Sequence, residues 1–250
     1  MKVFALHLTS PSSSEASVLA QLLRHLDEDI EVVLAVNRRG AADPRSLFAR
    51  LGLRRVTVVP VDPGLPLDPQ QPRSLPSRVA WRIWHLLLRD ALVRAAREHR
   101  PDLIYTSQQK FDCAAGARAA RSLGVPHIVH LHYTPGPWLG RGILDLIRGC
   151  ERVIAISRFI ARLAEAHGVD PSRIGVVPNP IEIERAPDGA PAHAEGRVTV
   201  GQIARMARGK GFDDAVRAFA LLRRELPAAQ LVFVGDGPER KRIEQLVREH

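Results

Sequence analysis

The chain has few of the residues that metal sites, disulfide frameworks and membrane spans require. Cysteine occurs only at Cys113 and Cys150, in unrelated contexts without metal-ligand spacing, so we expect both to be structural thiols. No uninterrupted apolar run approaches the ~20 residues that cross a bilayer. The N-terminal residues 1–8 are too short for the apolar part of a secretory signal and lack its cleavage site. These absences predict a cytoplasmic protein.

Lysine is also scarce, although the chain is strongly basic. Lysine stands at four positions among 36 basic residues, so arginine supplies most of a net charge of +9. A high-GC genome explains this composition, and an anionic partner such as a phosphorylated ligand or a membrane surface explains it equally. A nucleic-acid partner is not expected, because the chain has no zinc finger, aromatic RNA-binding signature or basic tail.

Apolar segments of strand length alternate with helical patterns along most of the chain. Near-continuous apolar strands between amphipathic helices are typical of a parallel sheet covered on both faces. The sequence therefore predicts an α/β fold whose N-terminal domain, residues 1–184, is Rossmann-like. Its predicted strands are 2–8, 30–36, 55–60, 102–106, 127–132, 152–156 and 173–177, and its predicted helices are 12–26, 43–51, 77–99, 113–123, 142–148 and 157–167.

The strand and helix pattern restarts after residue 196. Residues 185–196 are rich in alanine, proline and glycine without periodicity, which is typical of an interdomain linker. Residues 197–250 then hold two βα units, with strands over 197–204 and 230–234 and helices over 213–226 and 238–249. A parallel sheet of two strands leaves apolar faces and edges unpaired. We therefore expect 197–250 to be an incomplete, C-terminally truncated second domain.

A glycine-flanked basic loop leaves the first strand of this second segment. Arg205 and Lys210 lie at the carboxyl end of the strand, where ligands bind in open α/β sheets. Gly209 and Gly211 allow close approach of the backbone, and the helix that follows offers N–H groups and a positive dipole end. The loop is either a phosphate site or a pair of solvated cations. A second glycine turn, at Gly235 and Gly237, would form the adjacent wall of the same crevice.

Two histidines alternate onto one face of the strand 127–132. His130 and His132 share that face, and His132 stands at the carboxyl end just before the loop 133–140. A metal site is not expected, since no third ligand is apparent. By itself His132 is either a site residue or a residue at a strand end on the surface.

Several motifs follow one another along the chain. They are Pro101-Asp102-Leu-Ile-Tyr105, Val153-Ile-Ala-Ile-Ser157, Ile174-Gly-Val-Val-Pro178-Asn179-Pro180-Ile181, the run from Gly201 through Arg205-Met-Ala-Arg-Gly-Lys210-Gly211, Ala215-Val-Arg-Ala-Phe219, and Leu231-Val-Phe-Val-Gly235-Asp-Gly-Pro238-Glu239. Taken in order, these motifs resemble glycosyltransferase family 4 (GT4), whose members are retaining enzymes with the GT-B fold. The resemblance covers nearly the whole chain and is strongest over 150–240.

The resemblance implies a nucleoside diphosphate sugar as donor and a glycan or lipid-linked molecule as acceptor. Arg205 and Lys210 match the basic pair that neutralises the donor diphosphate and stabilises the leaving group. His132 matches the histidine near the transferring sugar. No metal or other cofactor is implied. The remaining implied contacts are Asn179, Gly235 and Gly237 on the donor side and Ser12, Ser13 and Tyr133 on the acceptor side.

The chain departs from the family pattern at two places. The loop after the first strand, residues 9–15, carries serines where the family often has glycines, and these serines suit helix capping as well as anion binding. The family's donor-binding glutamates would lie beyond His250. Glu239, Glu244 and Glu249 belong to a different helix and do not replace them.

Two other functions remain open at this point. The predicted helix 77–99 is amphipathic and basic and contains tryptophan, so it either packs on the sheet or lies on an anionic membrane surface at the inner face of the membrane. The second possibility suits a non-catalytic, truncated product that binds a membrane or a partner. A nucleotide-sugar epimerase of the same architecture is the other alternative.

Overall fold

The chain divides into two units, Met1–Ile183 and Glu184–His250. The structure is a computed structural model that describes residues 1–8, 13–38, 54–61, 91–181 and 198–250. The predicted helix over 43–51 and the predicted linker over 185–196 lie outside these residues.

The first unit is built on a sheet of seven parallel strands in the order β3-β2-β1-β4-β5-β6-β7. This confirms the predicted parallel α/β architecture, with strand and helix ends shifted by a few residues. The strands are β1 Lys2–His7, β2 Glu31–Asn37, β3 Val56–Val61, β4 Leu103–Thr106, β5 His127–Leu131, β6 Arg152–Ala155 and β7 Ile174–Val176. The helices are α1 Ser14–Arg24, α2 over residues 91–99, α3 Phe111–Leu123, α4 Arg141–Arg148 and α5 Arg158–Ala166, with short 3₁₀ helices at Pro137–Leu139 and Pro171–Arg173.

Helices cover both faces of this sheet, because the central strands are apolar on both sides. Phe4 and Leu6 of β1 pack in one buried cluster with Leu92 of α2, whereas Ala5 packs in another with Leu19 of α1. Full burial of one such leucine stabilises the fold by about 1.5–3 kcal/mol. The described part of the predicted helix 77–99 thus packs on the sheet. No helix within the described ranges is long and apolar enough to cross a membrane.

Helix α3 approaches the sheet closely at a glycine. A Cβ atom added to Gly116 would lie 2.3 Å from Cγ2 of Thr106 and 2.9 Å from Nε2 of His127. Both neighbours are buried, and Thr106 Oγ1 lies 3.1 Å from the same His127 nitrogen. A side chain at position 116 would therefore have to push the helix away from β4 and β5.

The second unit contains two βα repeats. Strands β8 Thr199–Ile203 and β9 Gln230–Val234 pair in parallel, and helices α6 Phe212–Glu225 and α7 Arg240–Glu249 follow them. Phe212 and Ile243 pack with Phe233 in a small core. On the opposite face Ile203 is 82% exposed and its register partner Val234 is 51% exposed. Apolar side chains of the two-stranded sheet are therefore exposed on this face.

We expect Gly116→Ala to lower the free energy of unfolding of the first unit by about 1–3 kcal/mol, the usual cost of overpacking a core. Gly142→Ala is the matched control, because Gly142 is an exposed residue of α4 and its added Cβ would meet nothing within 4 Å. That control should be neutral or slightly stabilising, since alanine favours helix more than glycine does. Urea denaturation measures both, and equal stabilities of the two variants would contradict the packing argument.

Candidate functional site

The strand order of the first unit reverses between β1 and β4, which pair in the middle of the sheet. In open parallel sheets, the carboxyl ends of the strands at such a reversal form the usual ligand-binding crevice. The chain segments that follow β1, β4 and β5 all begin at this edge. Within the described residues, no group of three or more acidic, histidine or cysteine side chains could hold a metal ion.

His132 lies directly after β5, half-buried, beside a second histidine. Its ring centroid is 4.2 Å from that of His130, which is fully buried and has Nδ1 2.7 Å from the hydroxyl oxygen of Tyr105. Burial lowers the pKa of His130 to about 3, so this ring is neutral at physiological pH. Burial also lowers the pKa of His132, while the negative charge of Glu15 opposes that change. His132 is therefore available as a neutral imidazole near pH 7.

Glu15 occupies the first turn of α1 and is 6% exposed. It accepts a hydrogen bond from the hydroxyl of Tyr133, the residue after His132. Burial acts to raise the pKa of Glu15, but the hydrogen bonds from Tyr133 and Ser13 and the interaction with His132 outweigh it and leave the pKa below its usual value. The Glu15 carboxylate is therefore ionised inside the crevice.

Gln109, buried in the segment between β4 and α3, holds the backbone of Tyr133 on both sides. Its amide nitrogen donates to the Tyr133 carbonyl at 2.9 Å, and the Tyr133 N–H donates to its amide oxygen at 2.5 Å. The Tyr133 ring remains 51% exposed. Burial and the bond to Glu15 raise the pKa of the Tyr133 phenol to about 12, so it donates as a neutral hydroxyl.

The sequence did not predict Glu15 or Gln109 as residues of this site. The only available signal was the position of Glu15 in a helix first turn.

Asp112, in the first turn of α3, is a fully buried carboxyl group. The backbone N–H of Leu8, just after β1, lies 3.3 and 3.4 Å from its two oxygens. Burial raises the pKa of Asp112 to about 7, and the contact with Leu8 only partly opposes that rise. The crevice thus contains a second acid that holds or releases a proton near neutral pH.

In the second unit, the predicted cations Arg205 and Lys210 are exposed on the segment between β8 and α6. Over the part of the chain that the structure describes, neither forms an ion pair. Arg208 on the same segment differs, since it lies 3.6 Å from the carboxylate of Glu239. The backbone carbonyl of Lys210 accepts a hydrogen bond of 2.7 Å from the side chain of Gln202. Two uncompensated cations therefore stand beside the N-terminus of α6.

The two predicted glycine turns of this unit lie side by side. Met206 N–H donates to the carbonyl of Asp236 at 2.9 Å. A Cβ atom on Gly235 would lie 2.0 Å from the carbonyl oxygen of Ala204, and one on Gly237 would lie 2.3 Å from that of Met206. Only glycine allows backbones to approach this closely.

An ion-pair network fastens α7 to the start of α6. Arg242 donates two hydrogen bonds to Asp213, at 2.6 and 2.9 Å, and one to Glu239 at 2.6 Å. The bonds from Arg242 hold the pKa of Asp213 below its usual value. An open depression of about 420 Å³ beside this network is lined by Arg208, Gly209, Gly211, Asp213, Asp214, Glu239 and Arg242.

The remaining predicted site residues fall in the first unit or outside the described ranges. The hydroxyl of Ser13 accepts a hydrogen bond from the Ala16 N–H at 3.1 Å and caps α1. Asn179 is exposed after β7. Ser12 lies outside the described residues. The first unit thus brings His132, Tyr133 and Ser13 to one edge of its sheet, and the second brings Arg205 and Lys210 beside Gly235 and Gly237.

Two family models match the chain. The one described as Glycosyltransferase Family 4 matches residues 16–185, and the one described as Glycosyl transferases group 1 matches residues 187–250. The chain is 27% identical to a 2-deoxystreptamine glucosyltransferase from Streptomyces kanamyceticus, over 81% of this chain and 64% of that protein. It is 28% identical to a 2-deoxystreptamine N-acetyl-D-glucosaminyltransferase from Streptomyces fradiae, over 82% of this chain and 54% of that protein. The chain thus spans less than two thirds of the length of these relatives.

Solved structures share the fold. Anabaena HepE in complex with UDP and glucose has a TM-score of 0.71 at 19% identity, over 100% of this chain and 66% of that one. The lipopolysaccharide outer core galactosyltransferase WaaB in its apo form has a TM-score of 0.67 at 18% identity, over 100% of this chain and 65% of that one. A UDP-GlcNAc 2-epimerase from Neisseria meningitidis bound to UDP-GlcNAc has a TM-score of 0.55 at 14% identity, over 100% of this chain and 69% of that one. These likenesses confirm the predicted GT-B type fold.

The buried Asp112 should make the stability of the first unit depend on pH. Its pKa rises from 3.8 to about 7 on folding, which corresponds to roughly 4 kcal/mol between its two protonation states. Because the folded state holds the proton more tightly, this contribution is present below pH 4 and is lost as the pH rises through 7. Asp112→Asn should therefore gain about that much stability relative to the wild type between pH 4 and pH 8.

Denaturant unfolding at a series of pH values measures this difference. Asp27→Asn is the control, because Asp27 is exposed and its replacement removes the same charge from the surface. Its stability relative to the wild type should change little across the same range. A difference between Asp112→Asn and the wild type that does not vary with pH would contradict the assignment.

Proposed function

The chain belongs to glycosyltransferase family 4, and we propose that the intact protein transfers a sugar from a nucleoside diphosphate sugar to an acceptor with retention of configuration. The observation that carries the proposal is the pair of cations at Arg205 and Lys210. They are exposed and without an ion-pair partner among the described residues, although other arginines of the same unit are paired with carboxylates. A diphosphate is the ligand that such an arrangement suits.

The local structure supports a diphosphate at this position. Arg205 can hold two phosphate oxygens at once, while Lys210 acts as a compact charge. Helix α6 begins at Phe212 without a side-chain cap and offers N–H groups together with the positive end of the helix dipole. Gly209 and Gly211 have φ angles of 78° and 74°, in the left-handed region that favours glycine, and present no side chain to block approach.

The same cations would supply the catalytic stabilisation of the leaving group. As the bond between the sugar and the diphosphate breaks, its electron pair stays on the phosphate oxygen, where negative charge grows. Donors that are already in place stabilise that charge without reorganising. We propose that Arg205 and Lys210 act in this way in place of a metal ion. Activity that survives a chelator would support this part of the proposal.

His132 is proposed to contact the transferring sugar, with Tyr133 and Ser13 on the acceptor side. The half-buried neutral imidazole can donate a hydrogen bond from one nitrogen and accept one at the other. Asn179, Gly235 and Gly237 are proposed as further donor contacts.

Uridine diphosphate sugars are the donors to assay first, because HepE is described in complexes with UDP and UDP-glucose. The relatives from Streptomyces are named for 2-deoxystreptamine, so this aminocyclitol is tested as an acceptor beside glycans and lipid-linked sugars. The names of these relatives favour a transferase over the epimerase and non-catalytic alternatives. Conversion of free UDP-GlcNAc without any acceptor would instead indicate an epimerase.

Lys210→Ala should weaken binding of UDP to the intact protein by about 10-fold to 100-fold, the loss of one charge-assisted hydrogen bond of about 1.5–3 kcal/mol. Isothermal titration calorimetry measures the affinity. Lys241→Ala removes an exposed lysine from α7 of the same unit and should leave the affinity within twofold of the wild type. Equal affinities of the two variants, or no binding of any nucleoside diphosphate by the wild type, would overturn the proposed donor site.

A further inference from the structure

We propose that Glu15 is a positioning residue for His132, holding the hydroxyl of Tyr133 and setting the charge around the imidazole from the first turn of α1. This role rests on the proposed function, in which His132 contacts the sugar. No motif of the sequence pointed to it. It follows from the contacts at the crevice of the first unit.

The bond between Glu15 and Tyr133 joins two segments that lie 118 residues apart. Glu15 belongs to the helix after β1, and Tyr133 to the loop after β5, with β4 between these strands in the sheet. Gln109 holds the backbone of Tyr133 from the segment after β4. The loop that carries His132 is thus hydrogen-bonded to the segments that follow β1 and β4.

A purely structural role for Glu15 is a poor explanation of its position. Burying a carboxylate is costly unless it is paired or hydrogen-bonded, and none of the described lysines or arginines forms an ion pair with it. In a capping box the acidic residue stands at the third helical position, but here Ser13 is the cap and Ala16 occupies that position. The hydroxyl of Ser13 accepts the Ala16 N–H at this helix end, and the Glu15 carboxylate accepts its own backbone N–H, a bond that does not require contact with Tyr133.

Among the described residues, Glu15 is a charged group that acts on His132. The titratable groups around the imidazole are Glu15 from α1, His130 from β5 and the neighbouring Tyr133, with Tyr105 of β4 behind His130. His130 and both phenols are neutral near pH 7, because burial lowers the pKa of the histidine and raises the pKa of each tyrosine. The carboxylate of Glu15 therefore favours the protonated form of His132 and opposes the effect of burial.

Two consequences follow for the proposed reaction. The hydrogen bond between Tyr133 and Glu15 limits how far the loop that carries His132 can shift. A misplacement of about 1 Å in a catalytic group can reduce the rate by 100-fold. The charge of Glu15 sets the fraction of His132 that is protonated at a given pH. Loss of Glu15 should therefore change both the rate and the titration of His132.

The test is Glu15→Gln in the intact protein, which keeps the shape of the side chain and removes its charge. NMR titration of labelled histidine follows His132, whose signal is assigned as the one missing from His132→Asn. We expect the pKa of His132 to fall, because the anion that favours its protonated form is gone. We also expect kcat with a UDP sugar to fall by up to about 100-fold, with KM for the donor within twofold.

Glu28→Gln is the matched control. Glu28 is exposed, and its substitution removes the same charge from the surface of the same unit. Neither kcat nor the titration of His132 should change in this control. The proposal is overturned if Glu15→Gln behaves like Glu28→Gln in both measurements.

Tyr133→Phe is a second variant that tests the same hydrogen bond. It is used if Glu15→Gln lowers the melting temperature so far that kcat and the His132 titration cannot be measured. This variant keeps the charge of Glu15 and removes only the hydroxyl, so kcat should fall while the donor KM stays unchanged. An unchanged kcat would overturn the positioning role.

Failure of the proposed function gives a different result. In that case the wild type transfers no sugar, whereas the pKa of His132 still falls in Glu15→Gln, since the titration needs no turnover.

Discussion

The pairing of β1 with β4 in the middle of the sheet is the constraint on which the rest of the first unit depends. Val3 aligns with Leu103 and Leu6 with Thr106, so both strands end at the same level. The order of the strands reverses at this pair, and the chain leaves it toward opposite faces. A crevice at the carboxyl ends follows from that geometry. Helices on both faces hold the pair in place by burying apolar side chains on each side.

Polar side chains gather at this crevice because the end of a buried strand is where backbone and solvent meet. His7 and Ser107 lie 2.8 Å apart there, between Nδ1 and Oγ, at the ends of β1 and β4. His130 is neutral in the protein interior, whereas Glu15 keeps its charge because hydrogen bonds compensate its burial. The first unit thus offers a histidine next to a buried anion.

In the second unit, carboxylates and cations lie close together near the start of α6. Arg242 binds Asp213 and Glu239, and Glu239 also pairs with Arg208 of the basic loop. Arg205 and Lys210 form no ion pair among the described residues and stand beside the start of α6. The close approach of Gly235 to Ala204 keeps the two turns in register. The diphosphate of the proposed donor would therefore meet cations that no described carboxylate neutralises.

The sequence by itself determined the elements and their class, because apolar periodicity and turn residues are local signals. It also singled out His132 at the end of a predicted strand, and Arg205 and Lys210 in the loop that leaves another. The resemblance to the family assigned their roles, which stay proposals. Some details could not be read in this way, such as the 3₁₀ helix at Pro137–Leu139 and the bonds of Gln109 to Tyr133.

Only the tertiary structure decided that Glu15 meets Tyr133 and acts on His132, and that Arg242 neutralises Asp213. These side chains come from segments far apart in the chain, and their pairing depends on the order of strands in the sheet and on the depth at which each helix packs. A local pattern carries no information about that order. Burial then decides the charge of each group, so the protonation of His130, Glu15 and Asp112 is a property of the folded protein alone.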